Sequence, residues 1–516
     1  MPLNAVNGQD GSSGLVPPRV QGGYGRTAGR GMLWVTLQAG TGKVAALASQ
    51  IALGWLLATE DFALFALAIG MAGIVAALRD GGMDRVLMQR GDEFAALARP
   101  ALALGMAFKA VGALLMVALA GPAAVFFESP QLLPLMWVLA ASLLLNAPLG
   151  VLRARLSVDL RFGVVARIGV MRMLAQHGLM VTLAVLGFGA MSFVLPLLVV
   201  AVLEGLLLVA AIGGWPGGGE QRDFRATMRD LLGAAKWLAI SAIGNVIASR
   251  VPYVLIGALA GKTVLGFYFF GFQLIGSALQ LFTESMPRVM MPALSRVHGD
   301  SARLRRGYLR AMRLLLFAAA PCLVLAALLA EPVMGLVWAG RWDGAVPAVT
   351  VLALAGIGRI MESLGYCAIE AKGHWRRRAV LAWVGAVAML SAAGLGAAIG
   401  TVTAIATAVG AGQVVMAITV NIAVARLLEL RWMSLLAAML PPLAVTGVSG
   451  ITVWLLLAPI TAPLPALWHV AALAAAFALL HTSLSGLLLR PAWRELVNLV
   501  RRRSDGDAMT ANASMP

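Results

Sequence analysis

Four basic residues stand inside long apolar runs of this 516-residue chain: Lys43, Lys109, Arg250 and Arg359. A charged side chain facing hydrocarbon costs several kcal/mol, so bases at such positions must face protein or a watery cavity. Fixed positive charge in a cavity suits an anionic ligand. Lys43 and Lys109 lie too far inside their runs to snorkel easily to an interface. Polar neighbours repeat around these bases. Thr36, Lys43 and Gln50 follow one another at seven residues, on one helix face. Ser241, Asn245 and Ser249 recur every fourth residue just before Arg250, and Pro252 frees the carbonyl of Ala248, which predicts a bend there. Gln273, Ser277, Gln280, Glu284 and Arg288 recur at four, three, four and four.

Three carboxylates add a second kind of chemistry. Glu284 must pair with a base such as Arg250 or bind a proton; Glu362, three residues from Arg359, either neutralises it or takes part in ion coupling. Glu204 is alone on an apolar run and is a coupling candidate or the partner of a neighbouring base. Arg359, Glu362, Tyr366 and Glu370 share a face. His177 and His481 read as packed helix residues, Tyr253 and Tyr268 as candidates for stacking on sugars, and Trp237 as an interfacial anchor. Ser-His-Asp spacing, a Gly-rich phosphate loop after a strand and metal-ligand spacing are absent from the sequence, so no enzyme chemistry, metal or cofactor is expected.

The elements that position these residues are membrane spans. Hydrophobic residues make up 60% of the chain and charged ones 12%, with a mean hydropathy of +0.87, against about 45–50% and about 25% in soluble domains. Cys322 and Cys367 both fall in apolar runs, which leaves no disulfide framework. The net charge of +17 does not indicate a nucleic-acid partner, because the arginines sit in short connections between spans.

Fourteen spans are expected, at about 32–57, 62–79, 97–120, 132–151, 164–187, 191–213, 232–260, 265–290, 310–330, 345–369, 378–399, 402–425, 434–457 and 466–489. Of the 40 Lys plus Arg, 34 then fall on the side of the termini and two, Lys262 and Arg341, on the other; the four intramembrane bases complete the count. The positive-inside rule places both termini in the cytoplasm. Shifting the chain by 203 residues lays Trp237 on Trp34, Gly257 on Gly54 and Ser285–Met291 on Gly82–Met88. The expected fold is all-α and polytopic, about 14 transmembrane helices in two pseudo-symmetric six-helix lobes plus a C-terminal helix pair. Its parts are a disordered cytoplasmic N-tail (1–31, without a signal peptide), an N-lobe (32–213), a cytoplasmic linker (214–231), a C-lobe (232–425), a helix pair (434–489) interrupted by prolines, and a cytoplasmic C-tail (490–516) whose Arg501-Arg502-Arg503 meets the lipid surface.

Several stretches carry a family resemblance: Leu53–Ala66, Leu78–Arg90, Leu255-Ile256-Gly257 with Leu265-Gly266-Phe267-Tyr268, Pro292–Arg296, and Gly335–Trp342. They resemble bacterial polysaccharide transporters, the Wzx-type flippases of the multidrug/oligosaccharidyl-lipid/polysaccharide superfamily, over roughly residues 30–430. One departure falls at Pro252-Tyr253, where the family pattern carries an acidic residue before Leu-Ile-Gly. The resemblance implies a bacterial inner-membrane protein that moves an undecaprenyl-pyrophosphate-linked oligosaccharide to the periplasmic leaflet by alternating access. It implies Lys43, Lys109, Arg250 and Arg359 for the anionic headgroup, with Gln50, Asn245, Gln273 and Gln280 as polar lining. It also implies H+ or Na+ as coupling ion through Glu284, Glu362 or Glu204, membrane lipids around the chain, and a polysaccharide polymerase and chain-length regulator as partners.

Other readings fit less well. A membrane polymerase or ligase needs large charged outer loops, and those here are short. A drug or cation antiporter of the same superfamily needs cavity acids, and usually has twelve spans. A lipid II flippase shares the expected span count and an anionic cargo. A structural scaffold has no use for buried lysines.

Overall fold

The computed structural model of the chain describes residues 24–76, 94–159, 161–214, 224–283, 290 and 301–489. Their regular structure is entirely helical: α1 (Tyr24–Leu56), α2 (Thr59–Ala76), α3 (Phe94–Phe126), α4 (Leu132–Val158), α5 (Phe162–Val185), α6 (Met191–Ile212), α7 (Phe224–Ala260) and α8 (Lys262–Thr283). Then follow α9 (Ser301–Leu328), α10 (Ala330–Trp338), α11 (Val346–Ala371), α12 (Trp375–Ile399), α13 (Val402–Leu427), α14 (Trp432–Thr452), α15 (Ala458–Thr461) and α16 (Ala466–Leu488). Apolar sequence in lipid must satisfy its backbone within each segment, which selects helices. Twelve of these segments among the described residues are long and apolar enough to cross a membrane. The other two expected spans correspond to α1 and α2.

The same helix pairings occur twice. In the first half α1 packs on α5, α3 on α4, α4 on α6, and α5 on α6; in the second α7 packs on α12, α9 on α11, α11 on α13, and α12 on α13. Helices α14 and α16 lean on α9, outside this pattern. Between the halves α2 packs along both α7 and α8, whereas the equivalent approach of α1 to α8 is sparse. Glycine permits the close side: a Cβ at Gly73 of α2 would lie 2.4 Å from Cβ of Arg250, and one at Gly70 would lie 2.8 Å from Val254. The largest core is shared by the halves. Phe62 of α2 meets Trp342 edge-on at 5.0 Å and Phe270 of α8 stacks on the same indole at 3.8 Å.

Several boundaries differ from those read in the sequence. Helix α1 begins at Tyr24, α7 at Phe224 and α9 at Ser301, each earlier than its apolar run. In α7 and α9 polar residues of good helix propensity prolong the helix beyond the apolar run, and hydropathy does not register them; the Gly-rich start of α1 has no such explanation. The nine-residue α10 was not expected.

Candidate functional site

A cavity of about 200 Å³ lies between α7, α8, α11 and α13. Its polar lining is Ser249, Arg250 and Tyr253 from α7, Gln280 and Thr283 from α8, Arg359 from α11 and Gln413 from α13. All of its lining residues belong to the second half, and the stem of Arg250, one of them, also rests against Gly73 of α2 in the first. Among the described residues, neither the exposed Arg250 nor the half-buried Arg359 makes a hydrogen bond or an ion pair within 4 Å, although Arg359 acts electrostatically on Glu362 three residues along α11. The buried Tyr253 hydroxyl and Gln413 Oε1 likewise lack a hydrogen-bond partner. Buried polar atoms are ordinarily satisfied, and each exception costs about 1–3 kcal/mol. Two guanidinium groups on one hollow, with a buried hydroxyl and a buried amide oxygen in its wall, give it a cationic and hydrogen-bonding lining.

Lys43 joins this site from the other half. Its Nζ donates to Gln280 Oε1 at 2.7 Å, across the sparse contact between α1 and α8. The structure therefore brings together Lys43, Arg250, Arg359 and Gln280. Glu362, beside Arg359 on α11, faces Tyr366, and the guanidinium of Arg378 lies 3.6 Å over the Tyr366 ring while pairing with Glu370 at 3.1 Å. Charged and aromatic groups thus continue from the cavity along one face of α11.

Other candidates are placed elsewhere. Lys109 is buried in α3, where its Nζ donates to the Asn146 carbonyl of α4 at 3.0 Å, and it does not line this cavity. Its neighbours, not its depth, decide this. Gln50 is buried on α1 with Nε2 unpartnered, and it too is outside the lining. Asn245 and Gln273 are half-buried on α7 and α8 without reaching the cavity. Glu284 lies outside the described residues. Glu204 is held by two bases: Arg153 grips it with both nitrogens at 2.7 and 2.9 Å, and Arg172 approaches to 3.8 Å. This cluster ties α4, α5 and α6 together. Arg153 lies near the C-terminal end of α4 and Arg172 in the middle of α5. The boundaries of span five already enclosed Arg172, and the lone Glu204 called for such a partner. Gln413 was missed as well; its signal was an amide in the apolar run of α13, which also carries Asn421.

Two halves of equivalent helix pairings, built from helices long and apolar enough to cross a membrane, define a polytopic helical membrane protein with an internal repeat. The chain belongs to the polysaccharide biosynthesis protein family, whose profile matches residues 52–347. A curated relative, the teichuronic acid biosynthesis protein TuaB of Bacillus subtilis (strain 168), is 24% identical over 279 residues, 54% of this chain and 56% of that protein. The chain thus matches about half the length of that relative. An uncharacterized membrane protein in the cps region of Klebsiella pneumoniae is 24% identical over 127 residues, a quarter of each chain (25% and 26%). Among solved structures the fold is similar to the lipid II flippase MurJ in an inward closed conformation, with a TM-score of 0.62 at 12% identity, covering 90% of this chain and 100% of that one. An inward-facing multidrug resistance MATE family transporter of the MOP superfamily gives a TM-score of 0.53 at 15% identity, covering 75% and 94%.

Proposed function

We propose that this protein moves a lipid-linked oligosaccharide with a pyrophosphate headgroup across the bacterial inner membrane by alternating access of its two halves, with both termini in the cytoplasm. The observation that carries the reading is that Arg250 and Arg359 line one cavity and, among the described residues, make no hydrogen bond or salt bridge there, with Tyr253 and Gln413 in the same wall. Guanidinium pairs suit phosphate, and the hydroxyl and amide suit sugar hydroxyls. Lys43 supplies a third cation from the opposite half, so a headgroup bound there touches both halves at once. That is the requirement for cargo that drives the halves to move. The cationic lining also favours an anionic cargo over a cationic drug. For coupling to H+ or Na+, the reading uses Glu362, next to Arg359 on α11. A polymerase that consumes the exported units is the partner this function requires. The test is to delete the gene and follow lipid-linked oligosaccharide. Accumulation on the cytoplasmic side with loss of surface polysaccharide supports the reading; normal surface polysaccharide with raised dye sensitivity favours a drug pump.

A further inference from the structure

The stretch that ends α10 and turns into α11 closes one end of the seam. Beyond Trp338 the chain passes through left-handed conformations at Ala339 (φ 51°) and Gly340 (φ 83°), which swing Arg341 and Trp342 back toward α1. Three side chains then cap the last turn of α1. Trp338 Nε1 donates to the Ile51 carbonyl at 3.2 Å, and Trp342 Nε1 donates to the Gly54 carbonyl at 2.8 Å. Arg341 donates to the carbonyls of Trp55 and Leu57, the latter at 3.1 Å. The last four carbonyls of a helix have no partner of their own, which applies here to Gly54 and Trp55; Ile51 lies further back in α1 and Leu57 just beyond its end. Here the donors come from the opposite half, 284 to 288 residues further along the chain.

Glycines make room for the contact. A Cβ at Gly54 would sit 2.3 Å from Trp338 Nε1, and one at Gly266 of α8 would sit 2.2 Å from the Thr59 carbonyl. A second tie stands beside the first: Lys262, at the start of α8, donates to Ser129 Oγ at 3.0 Å and pairs with Glu60 at 3.3 Å. Lys262 and Arg341 are the two bases that the charge count puts on the outer side. Both bind the second half to the first.

We propose that Trp338, Arg341 and Trp342 form the outer gate of the transporter, a latch on the C-terminal turn of α1 that must release before cargo can leave. This inference rests on the carrier reading above. It explains why α1 needs so little contact with α8. The helix is fixed to the second half at its end by the latch and, about 16 Å earlier on a rise of about 1.5 Å per residue, by Lys43 on Gln280. A phosphate that takes Lys43 from Gln280 removes one of these two attachments and leaves the latch to hold alone.

The test uses the full-length protein in sealed phospholipid vesicles. Cys322 and Cys367 are replaced by Ala, and one cysteine is introduced by Ser249→Cys in the cavity. A membrane-impermeant maleimide is applied to either face. Trp338→Phe and Trp342→Phe keep an aromatic ring at each position and remove the indole donors together with part of the indole packing; Arg341→Met keeps an apolar stem and isolates the loss of donors. Each hydrogen bond lost shifts the closed–open balance by about fivefold, so the triple variant should label from the outer face at least about tenfold faster and from the inner face more slowly. Arg341→Met alone, which preserves the indole packing, should move labelling the same way by a smaller factor. A triple variant that melts like the parent yet labels identically overturns the gate, as does an unchanged Arg341→Met if the triple variant does not fold. A thiol unlabelled from both faces in parent and variants alike contradicts the carrier reading itself and, with it, the gate.

Discussion

Replacing Arg359 by methionine should weaken headgroup binding while making the empty protein more stable. In the structure the Arg359 guanidinium lines the cavity beside Arg250, and neither has a direct partner among the described residues. A hydrogen bond to a charged group is worth about 1.5–3 kcal/mol, so losing the contact to a pyrophosphate should raise Kd by roughly 10- to 100-fold. The same charge burdens the empty protein. An arginine at the centre of a spanning helix costs about 2.5–3.5 kcal/mol on insertion scales. Arg359 is only half-buried and faces a cavity, so about 1 kcal/mol is expected to be recovered, a rise of about 1 °C in Tm for a chain of this size. Binding is read by titrating purified protein with a polyprenyl pyrophosphate, and stability by thermal melting in the same detergent. A residue kept for packing would behave the other way. Unchanged affinity, or a fall in Tm accompanying any loss of affinity, refutes the reasoning.

Glu204→Gln should be among the most damaging single changes, because it leaves Arg153 and Arg172 without their carboxylate; a loss of about 2 kcal/mol or more, discounted for the partial exposure of both arginines, should appear as a lower Tm. Lys109→Met should lower Tm while leaving the Kd for polyprenyl pyrophosphate within about twofold, since its ammonium serves the Asn146 carbonyl and not the cavity. Lys43→Met should raise that Kd by about tenfold, and Gln280→Glu, which offers Lys43 a charged partner in place of a neutral one, should also weaken binding by competing with the headgroup.

Much of the fold was legible because lipid imposes a simple rule: a run of about 20 apolar residues is a helix. The positions of Arg250, Gln280 and Arg359 were legible for a related reason, since polar groups in such runs must face inward and few interiors exist. What one sequence does not carry is which interior. Lys43 and Lys109 give the same signal, a lone ammonium within a span, yet one crosses to Gln280 of the other half and the other caps a carbonyl of the adjacent helix. Glu204 draws its partners from two helices, 51 residues away in the case of Arg153, and nothing in local spacing records that. Gln413 and Tyr253 acquire meaning only when the packing leaves their polar atoms open. The latch was visible as a motif, Gly335–Trp342, but its purpose lies in the α1 carbonyls it meets.

The account turns on whether Arg250 and Arg359 hold anionic cargo in the cavity they line. The most direct measurement reconstitutes the purified protein in vesicles and follows the transfer of a fluorescent, pyrophosphate-linked saccharide lipid between leaflets. The native chain should transfer it, and the double variant Arg250→Met with Arg359→Met, folded and melting no lower than the parent, should lose at least about 90% of the rate, given the losses of 10-fold or more expected at each site. Transfer at the native rate by that double variant would contradict the account.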